Sequence, residues 1–316
     1  MEIVLLILGL TILLVAGDVL VRGAVALSLR LGVPAVIVGL TVVAFGTSLP
    51  ELIVSIDAVL SGAPAIALGN VVGSNIANVL LVLGVPAIIS TVPPSGQGTK
   101  RSYGFVIAAS LLLICLCFYG PLHFHAAAIL LMLLFVMLLY MAREARDDPS
   151  QITEEVSGHD AQLPVWKMIA FLILGIAGLP VGANLLIESA VEIARDIGVS
   201  EAVIGLTLVA LGTSLPELAT TVMAGFRRHA DVAMGNVLGS NLFNILAILG
   251  VTSLFGPLPV GLDFLHRDLW VMLGATLLLA PSVLQCRTIG RLAGVAMLGL
   301  YIAYNAYLFW ESGAHL

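Results

Sequence analysis

The chain has 316 residues, 60% of them hydrophobic and 10% charged, with a formal net charge of −6 and a mean hydropathy of +1.12. Soluble domains carry about 25% charged residues, so composition excludes a soluble globular protein and implies many bilayer-crossing segments. There is no basic stripe, which excludes nucleic acid as a partner and leaves the lipid bilayer.

In chain order, "MEIVLLILGL" starts with an acid and lacks a basic n-region, so it reads as a first span and not as a removable signal. Apolar runs of spanning length predict ten helices at about 2–30, 36–60, 66–90, 102–120, 124–143, 164–195, 202–227, 232–256, 267–284 and 290–310. Turn or charge signals separate them: "SGAP" at 61–64, "PPSGQGTKR" at 93–101, "RRHAD" at 227–231, "HRD" at 266–268 and "QCRTIGR" at 285–291. The segment 143–164 is polar, charged and proline-bounded. It reads as a linker, which divides the chain into 1–145, a linker at 146–163, and 164–316. Cys115, Cys117 and Cys286 lie in or beside apolar runs and read as small buried residues. His123, His125, His159, His229, His266 and His315 fall in loops or at ends, and none reads as a ligand.

Ten spans put both termini on one side. The opposite side then receives Arg30, Lys100, Arg101, Arg143, Arg146, Lys167, Arg227, Arg228, Arg287 and Arg291, while the terminal side receives only Arg195 and Arg267. The Lys/Arg-rich side is cytoplasmic, so both termini are expected outside the cytoplasm, in a multi-pass protein of the cell (inner) membrane.

A repeat runs through the chain. "GTSLPEL" occurs around Glu51 and again around Glu217, 166 positions later. The same shift aligns "GNVVGSNIANVLLVLG" (69–84) with "GNVLGSNLFNILAILG" (235–250), and "LILG" at 6–9 with "LILG" at 172–175. Five spans per half is an odd number, so the second half enters the membrane upside down. The expected fold is all-α, with ten transmembrane helices as two inverted five-helix repeats and broken helices at the centre.

A carboxylate at the bilayer centre costs about 2.5–3.5 kcal/mol even on the lenient insertion scale, and here it occurs twice. Pro50 and Pro216 have no N–H and free the carbonyls of Gly46 and Gly212. Thr47 and Glu51 are i and i+4, with Ser48 beside them; Thr213, Ser214 and Glu217 repeat this. Ser74 and Asn78 share a helix face, as do Ser240 and Asn244. Gly69, Gly73, Gly235 and Gly239 permit close helix approach, and Asn70 and Asn236 read as interhelical hydrogen-bonding residues. Arg22 and Glu188 occupy equivalent positions and read as paired or snorkelling charges, and Asp57 as a mouth residue. The donors are carboxylates, hydroxyls, amide oxygens and freed carbonyls, a hard-cation set suited to Ca²⁺ and Na⁺.

The paired motifs resemble the α-repeats of the cation/calcium exchanger superfamily, in its prokaryotic sodium/calcium exchanger branch. The resemblance covers nearly the whole chain. It implies that Glu51 and Glu217 chelate Ca²⁺, that Thr47 and Thr213 contribute oxygens, and that Ser48, Ser214, Ser74 and Ser240 line Na⁺ sites. It also implies backbone ligation at Ala44 and Ala210 and a polar pair at Asn78 and Asn244. Some members carry aspartate in that pair; this chain has asparagine at both positions, which argues against potassium cotransport.

The expected function is therefore Na⁺/Ca²⁺ antiport by alternating access, K⁺-independent, with the long first and sixth spans as moving gate. No resident cofactor is expected, since Ca²⁺ and Na⁺ are substrates, and a monomer suffices. Ca²⁺/H⁺ antiport is the alternative, because a close carboxylate pair can hold a proton. A passive channel fits poorly with a chelating pair. An intramembrane enzyme lacks a His or Lys base at span depth.

Overall fold

The computed structural model describes residues 1–89, 91–92, 97–147, 163–197 and 210–313. These are almost wholly helical: α1 (Glu2–Leu31), α2 (Ala35–Thr47), α3 (Leu49–Leu60), α4 (Pro64–Ile89), α5 (Gln97–Tyr119), α6 (Phe124–Asp147), α7 (Val165–Asp196), α8 (Ala210–Gly212), α9 (Leu215–Phe226), α10 (Ala230–Phe255), α11 (Phe264–Leu284) and α12 (Arg291–Gly313). Among the described residues eight helices are long and apolar enough to cross a membrane, or nine if the bent pair α2–α3 counts as one span. The chain is thus an all-helical, multi-pass membrane protein. The start of the expected span at 202–227 lies outside the described residues, as does nearly all of the linker and with it His159; His315 is also outside.

Two boundaries differ from expectation. α5 begins at Gln97 and absorbs "QGTKR". α11 begins at Phe264 and takes in "HRD" as a π-helical turn, Phe264–Asp268. Charge does not end that helix because it is internally satisfied: Arg267 binds Asp268 at 2.7 Å and also Glu311, and the Tyr304 hydroxyl donates to Asp268 at 3.0 Å. The cysteines also differ. Cys117 is buried, but Cys115 and Cys286 are exposed, Cys115 because it sits on the outward face of α5.

Three kinds of contact fix the arrangement. First, α1 and α7 pack along each other through small residues: a Cβ at Gly182 would lie 2.6 Å from the Leu13 backbone nitrogen. Such contact, backbone to backbone, is how spans associate where lipid is as apolar as leucine. Second, α4 and α10 run through the middle, contributing Val71, Ile76, Val79, Val237, Leu242 and Ile245 to the main apolar cluster. Third, two antiparallel bridges tie connections together. Val92 pairs with Ile289 (N–H···O 3.0 and 2.9 Å), and Leu122 with Leu258 (2.9 and 3.0 Å). Each bridge joins a connection in one half to a connection in the other.

α4 and α10 each change winding in mid-course. Residues Asn78–Val82 and Asn244–Ile248 are π-helical, at corresponding positions of the two halves. A π turn widens the helix by one residue and re-aims the side chains beyond it, and such turns gather at functional sites.

Candidate functional site

The centre is built around two helix breaks. α2 ends at Thr47 and α3 starts at Leu49 with a 43° bend, and Ser48 between them sits at φ −86°, ψ 4°. Pro50 is the cause. It cannot supply an N–H to the Gly46 carbonyl, and it is accommodated in the first turn of α3, where an N–H has no helical partner anyway. Pro216 does the same at the start of α9, with Ser214 at φ −87°, ψ 0°. Expectation placed Thr47 and Glu51 on one face of a continuous helix. The break puts them on separate helices, and the Thr47 hydroxyl reaches Asn236 and Ser240 of the other half.

Ser48 and Ser214 occupy N-cap positions, where a serine ordinarily bonds the exposed backbone N–H groups. Neither does. The Ser48 hydroxyl donates to Glu217 Oε1 at 3.3 Å, and the Ser214 hydroxyl is buried without a partner. Glu51 and Glu217 lie in the first turns of α3 and α9, where the positive end of the helix dipole favours an anion. Both are buried, at 1% and 0% exposure, and they lie within electrostatic reach of each other. No ion pair among the described residues involves either one.

The halves interlock here. The Thr47 hydroxyl donates to the Ala44 carbonyl (3.2 Å) and lies near Asn236 Oδ1 (3.3 Å) and the Ser240 hydroxyl (3.4 Å). Ser240 in turn reaches Glu217 Oε1 at 3.5 Å. Asn70 and Asn236 bond between helices at corresponding positions. Asn70 donates to the Glu51 carbonyl (3.2 Å) and to Ser55 (3.0 Å). Asn236 donates to the Glu217 carbonyl (3.3 Å) and to Thr221 (3.1 Å). Each thus holds a glutamate's backbone against α4 or α10.

The other predicted residues lie on the adjoining elements. The Ala44 carbonyl also accepts the Ser48 N–H at 3.0 Å, so two hydrogens converge on it. Ala210 opens the short α8, and Thr213 is a half-buried turn residue after it. Ser74 and Ser240 are buried on α4 and α10. Gly235 and Gly239 provide the expected close approach: a Cβ would fall 2.6 Å from the Val36 carbonyl and 2.5 Å from the Leu40 carbonyl. Residues 202 and 206, which correspond to Val36 and Leu40, lie outside the described residues, so the matching contacts of Gly69 and Gly73 do too. Asn78 donates through Nδ2 to Asn241 Oδ1 (3.1 Å), and Asn244 to Asn75 Oδ1 (3.0 Å). Sequence reasoning missed Asn75, Asn241, Ser55 and Thr221. The first two stand inside the duplicated "GSN", which was the available signal.

Five buried oxygens at this centre find no hydrogen-bond partner among the described residues: Glu51 Oε2, Glu217 Oε2, Asn78 Oδ1, Asn244 Oδ1 and Ser214 Oγ. Native interiors leave few such atoms, and each calls for an explanation. Four of the five can only accept, so a cation is the chemical complement. Among the described residues no group of three or more His, Cys, Asp or Glu side chains that could hold a metal ion assembles.

The family profile described as "Sodium/calcium exchanger protein" matches residues 1–143 and 167–310. The chain belongs to the sodium/calcium exchanger family. Exchange is transport by antiport, so this membrane protein is a cation/Ca²⁺ antiporter by family. It is 36% identical to putative antiporter CaxA of Alkalimonas amylolytica, over 95% of this chain and 96% of that one. It is 36% identical to inner membrane protein YrbG of Escherichia coli, over 98% and 97%. A solved structure of the sodium-calcium exchanger NCX_Mj, soaked with Na⁺ and Sr²⁺, superposes with a TM-score of 0.83 at 32% identity, covering 96% of this chain and 97% of that one.

Proposed function

We propose that this exchanger couples Na⁺ entry to Ca²⁺ movement in the opposite direction, at one central site shared by two inverted five-helix halves. One observation carries the reading. Among the described residues Glu51 and Glu217 are buried without a basic partner, and each keeps an unsatisfied oxygen in a centre that also holds unsatisfied amide oxygens. Buried ions without compensation cost several kcal/mol each. An empty, doubly ionised site is therefore expensive to close, whereas a site holding cations is not, and that difference is the coupling.

The ligand set proposed for Ca²⁺ and Na⁺ comprises Glu51, Glu217, Thr47, Thr213, Ser48, Ser214, Ser74, Ser240, Asn78, Asn244 and the carbonyls of Ala44 and Ala210. The hydroxyls favour Na⁺ over H⁺ as the coupling ion, because a proton needs no extra oxygen ligands. Two anions balance one Ca²⁺ and leave no charge for K⁺. The matching order of helices supports the ten-span count, with α1 to α6 answering α7 to α12 at a shift of about 166 positions. The bridges Val92–Ile289 and Leu122–Leu258 support the sidedness, since each joins connections that ten spans assign to the same side. The Lys/Arg asymmetry then puts the linker in the cytoplasm, both termini outside it, and the units at 1–145 and 164–316 on either side of that linker.

The test is ⁴⁵Ca²⁺ uptake into proteoliposomes. Na⁺ loading should drive uptake with choline replacing all K⁺, and choline loading at fixed pH should not. Uptake driven by an imposed pH gradient without Na⁺ would establish the proton-coupled alternative. For orientation, Ser157→Cys should resist an impermeant thiol reagent in intact cells and react after permeabilisation.

A further inference from the structure

The centre contains a second set of asparagines that the proposed ligand set does not include. Asn75 and Asn241 meet where α4 crosses α10, both 1% exposed. Each donates through Nδ2 to the other's backbone carbonyl, at 3.3 and 3.4 Å. Asn75 Nδ2 also lies 3.7 Å from the Met272 sulfur. Each accepts at Oδ1 from an asparagine of the opposite half: Asn75 from Asn244 (3.0 Å) and Asn241 from Asn78 (3.1 Å). The four amides form a closed reciprocal set across the two halves.

The backbone carbonyls decide which way every amide points. A carbonyl only accepts, so Asn75 must turn Nδ2 to Asn241 and Asn241 must turn Nδ2 to Asn75. That leaves both Oδ1 atoms facing Asn244 and Asn78. Those two must then answer with Nδ2, because an oxygen there would set acceptor against acceptor in a buried place. Their own Oδ1 atoms are forced to the other side, where they are buried and find no hydrogen. Reversing any single amide breaks at least one contact and opposes like atoms there.

We infer that Asn75 and Asn241 are positioning residues of the ion site: each holds the amide of Asn244 or Asn78 with its oxygen, and not its NH₂, towards the cation. The inference rests on the reading of Asn78 and Asn244 as ligands. It explains why the third letter of "GSN" is duplicated along with the second. It also explains why a neutral amide suits positions 78 and 244 here: the side chain there must offer a hydrogen to Asn75 or Asn241 and an oxygen to the ion at once. An ionised carboxylate has no hydrogen to offer. Because each lock reaches across the molecule, the two halves orient each other's ligands.

The test is a double-mutant cycle on Ca²⁺ binding, measured calorimetrically on the purified full chain, with thermal stability recorded in parallel. Asn244→Ala should weaken Ca²⁺ binding roughly three- to tenfold, the worth of one ordinary contact. Asn75→Ala should weaken it by a similar factor, and the double variant should be no weaker than Asn244→Ala alone. Normal Ca²⁺ affinity in Asn75→Ala, or losses that multiply in the double variant, would overturn the positioning role. Normal affinity in Asn244→Ala would instead overturn the ligand assignment, and this inference with it. If Asn75→Ala does not fold, the pair Asn241 and Asn78 gives the same cycle from the other half: Asn241→Ala should weaken Ca²⁺ binding about as much as Asn78→Ala, with no further loss in the double variant, and normal affinity in Asn241→Ala would overturn the role.

Discussion

The two halves carry nearly the same motifs, yet α3 and α9 stand in different surroundings. On α9, Ala219 and Thr220 are 3% and 0% exposed; at the corresponding places on α3, Ile53 and Val54 are 66% and 40% exposed. α1 makes the difference. It crosses α9 so closely that a Cβ at Gly17 would lie 3.1 Å from the Ala219 carbonyl. Val21 and Val25 of α1 continue the contact with Ala224 and with Val232 and Ala233 on α10. α7 corresponds to α1 but has no comparable packing along α3 among the described residues. The polar contacts are just as one-sided: Ser48 reaches Glu217, while the Ser214 hydroxyl finds no hydrogen-bond partner.

An ion pair completes the closed side. Arg227, just past α9, binds Asp18 of α1 with two parallel contacts of 2.5 and 2.8 Å. The corresponding positions are Ser61 and Asn184, which cannot form an ion pair. The difference teaches that halves sharing their central motifs need not give balanced states. If α1 and α7 are the moving gate expected from the sequence, their glycine contacts would carry them together. Tilting that pair would exchange the α1–α9 contact for an α7–α3 contact, but only the first has a salt bridge. On the orientation proposed above, Arg227 is cytoplasmic, so the covered helix, α9, runs to the inner side and the exposed one, α3, to the outer side.

The largest expected effect ignores this asymmetry. Glu51→Gln and Glu217→Gln should each reduce Na⁺-driven ⁴⁵Ca²⁺ uptake more than about a hundredfold, since losing one member of a buried charged set costs roughly 3–5 kcal/mol. Both variants should insert and elute as the parent does. A severe loss in one and near-normal uptake in the other would mean that the halves differ at the site itself, and not only in what covers it.

The next effect breaks the asymmetry. Asp18→Asn removes the ion pair and should move the population away from the state described here. The pair is partly exposed, with side chains at 22% and 30%, so it sits between surface and buried cases at about 1 kcal/mol. That is a shift of roughly fivefold. Cysteine accessibility measures it: with Ile53→Cys as reporter in a background whose own Cys115, Cys117 and Cys286 are replaced by alanine, labelling by an impermeant thiol reagent should slow in Asp18→Asn. Swapping the charges, with Asp18→Arg and Arg227→Asp together, should restore the rate. An unchanged rate in Asp18→Asn would show that α1 is held by packing alone.

Much of this was legible in the letters. Span length and turn residues located the helices because a bilayer allows little else. The repeated glutamate, proline and serine named the residues that the breaks bring together, because the cost of a buried carboxylate makes its neighbours informative. Other features had no such signal. Asp18 reads as a stray acid in a first span until Arg227 is placed beside it, 209 positions away. Asn75 and Asn241 were overshadowed by the serines next to them, since a hydroxyl or amide is ambiguous between ligand and support until its partner is known. The 43° break at Ser48 had no full signal either: the letters show a proline, but not that the Thr47 hydroxyl reaches Asn236 and Ser240 of the other half.

The smallest effect sharpens the comparison within the site. Ser48 and Ser214 are the same letter in the same motif, but only Ser48 has a partner, Glu217. Removing its hydroxyl deletes a hydrogen bond to a carboxylate, which stabilises by about 1.5–3 kcal/mol where both groups are buried. At 3.3 Å the contact is long for a charge-assisted bond, so the lower end applies. Removing the Ser214 hydroxyl deletes a buried oxygen that has no bond to lose. In the absence of ions, Ser48→Ala should therefore lower the thermal midpoint while Ser214→Ala leaves it unchanged or raises it slightly. With saturating Na⁺ the order should change, because an ion can recruit the free hydroxyl: Na⁺ should stabilise the parent more than it stabilises Ser214→Ala. The measurement is a melting series in detergent across Na⁺ concentrations. Equal Na⁺ stabilisation of parent and Ser214→Ala would remove Ser214 from the ligand set. Equal ion-free midpoints for the two variants would mean that the Ser48–Glu217 contact does not distinguish the halves.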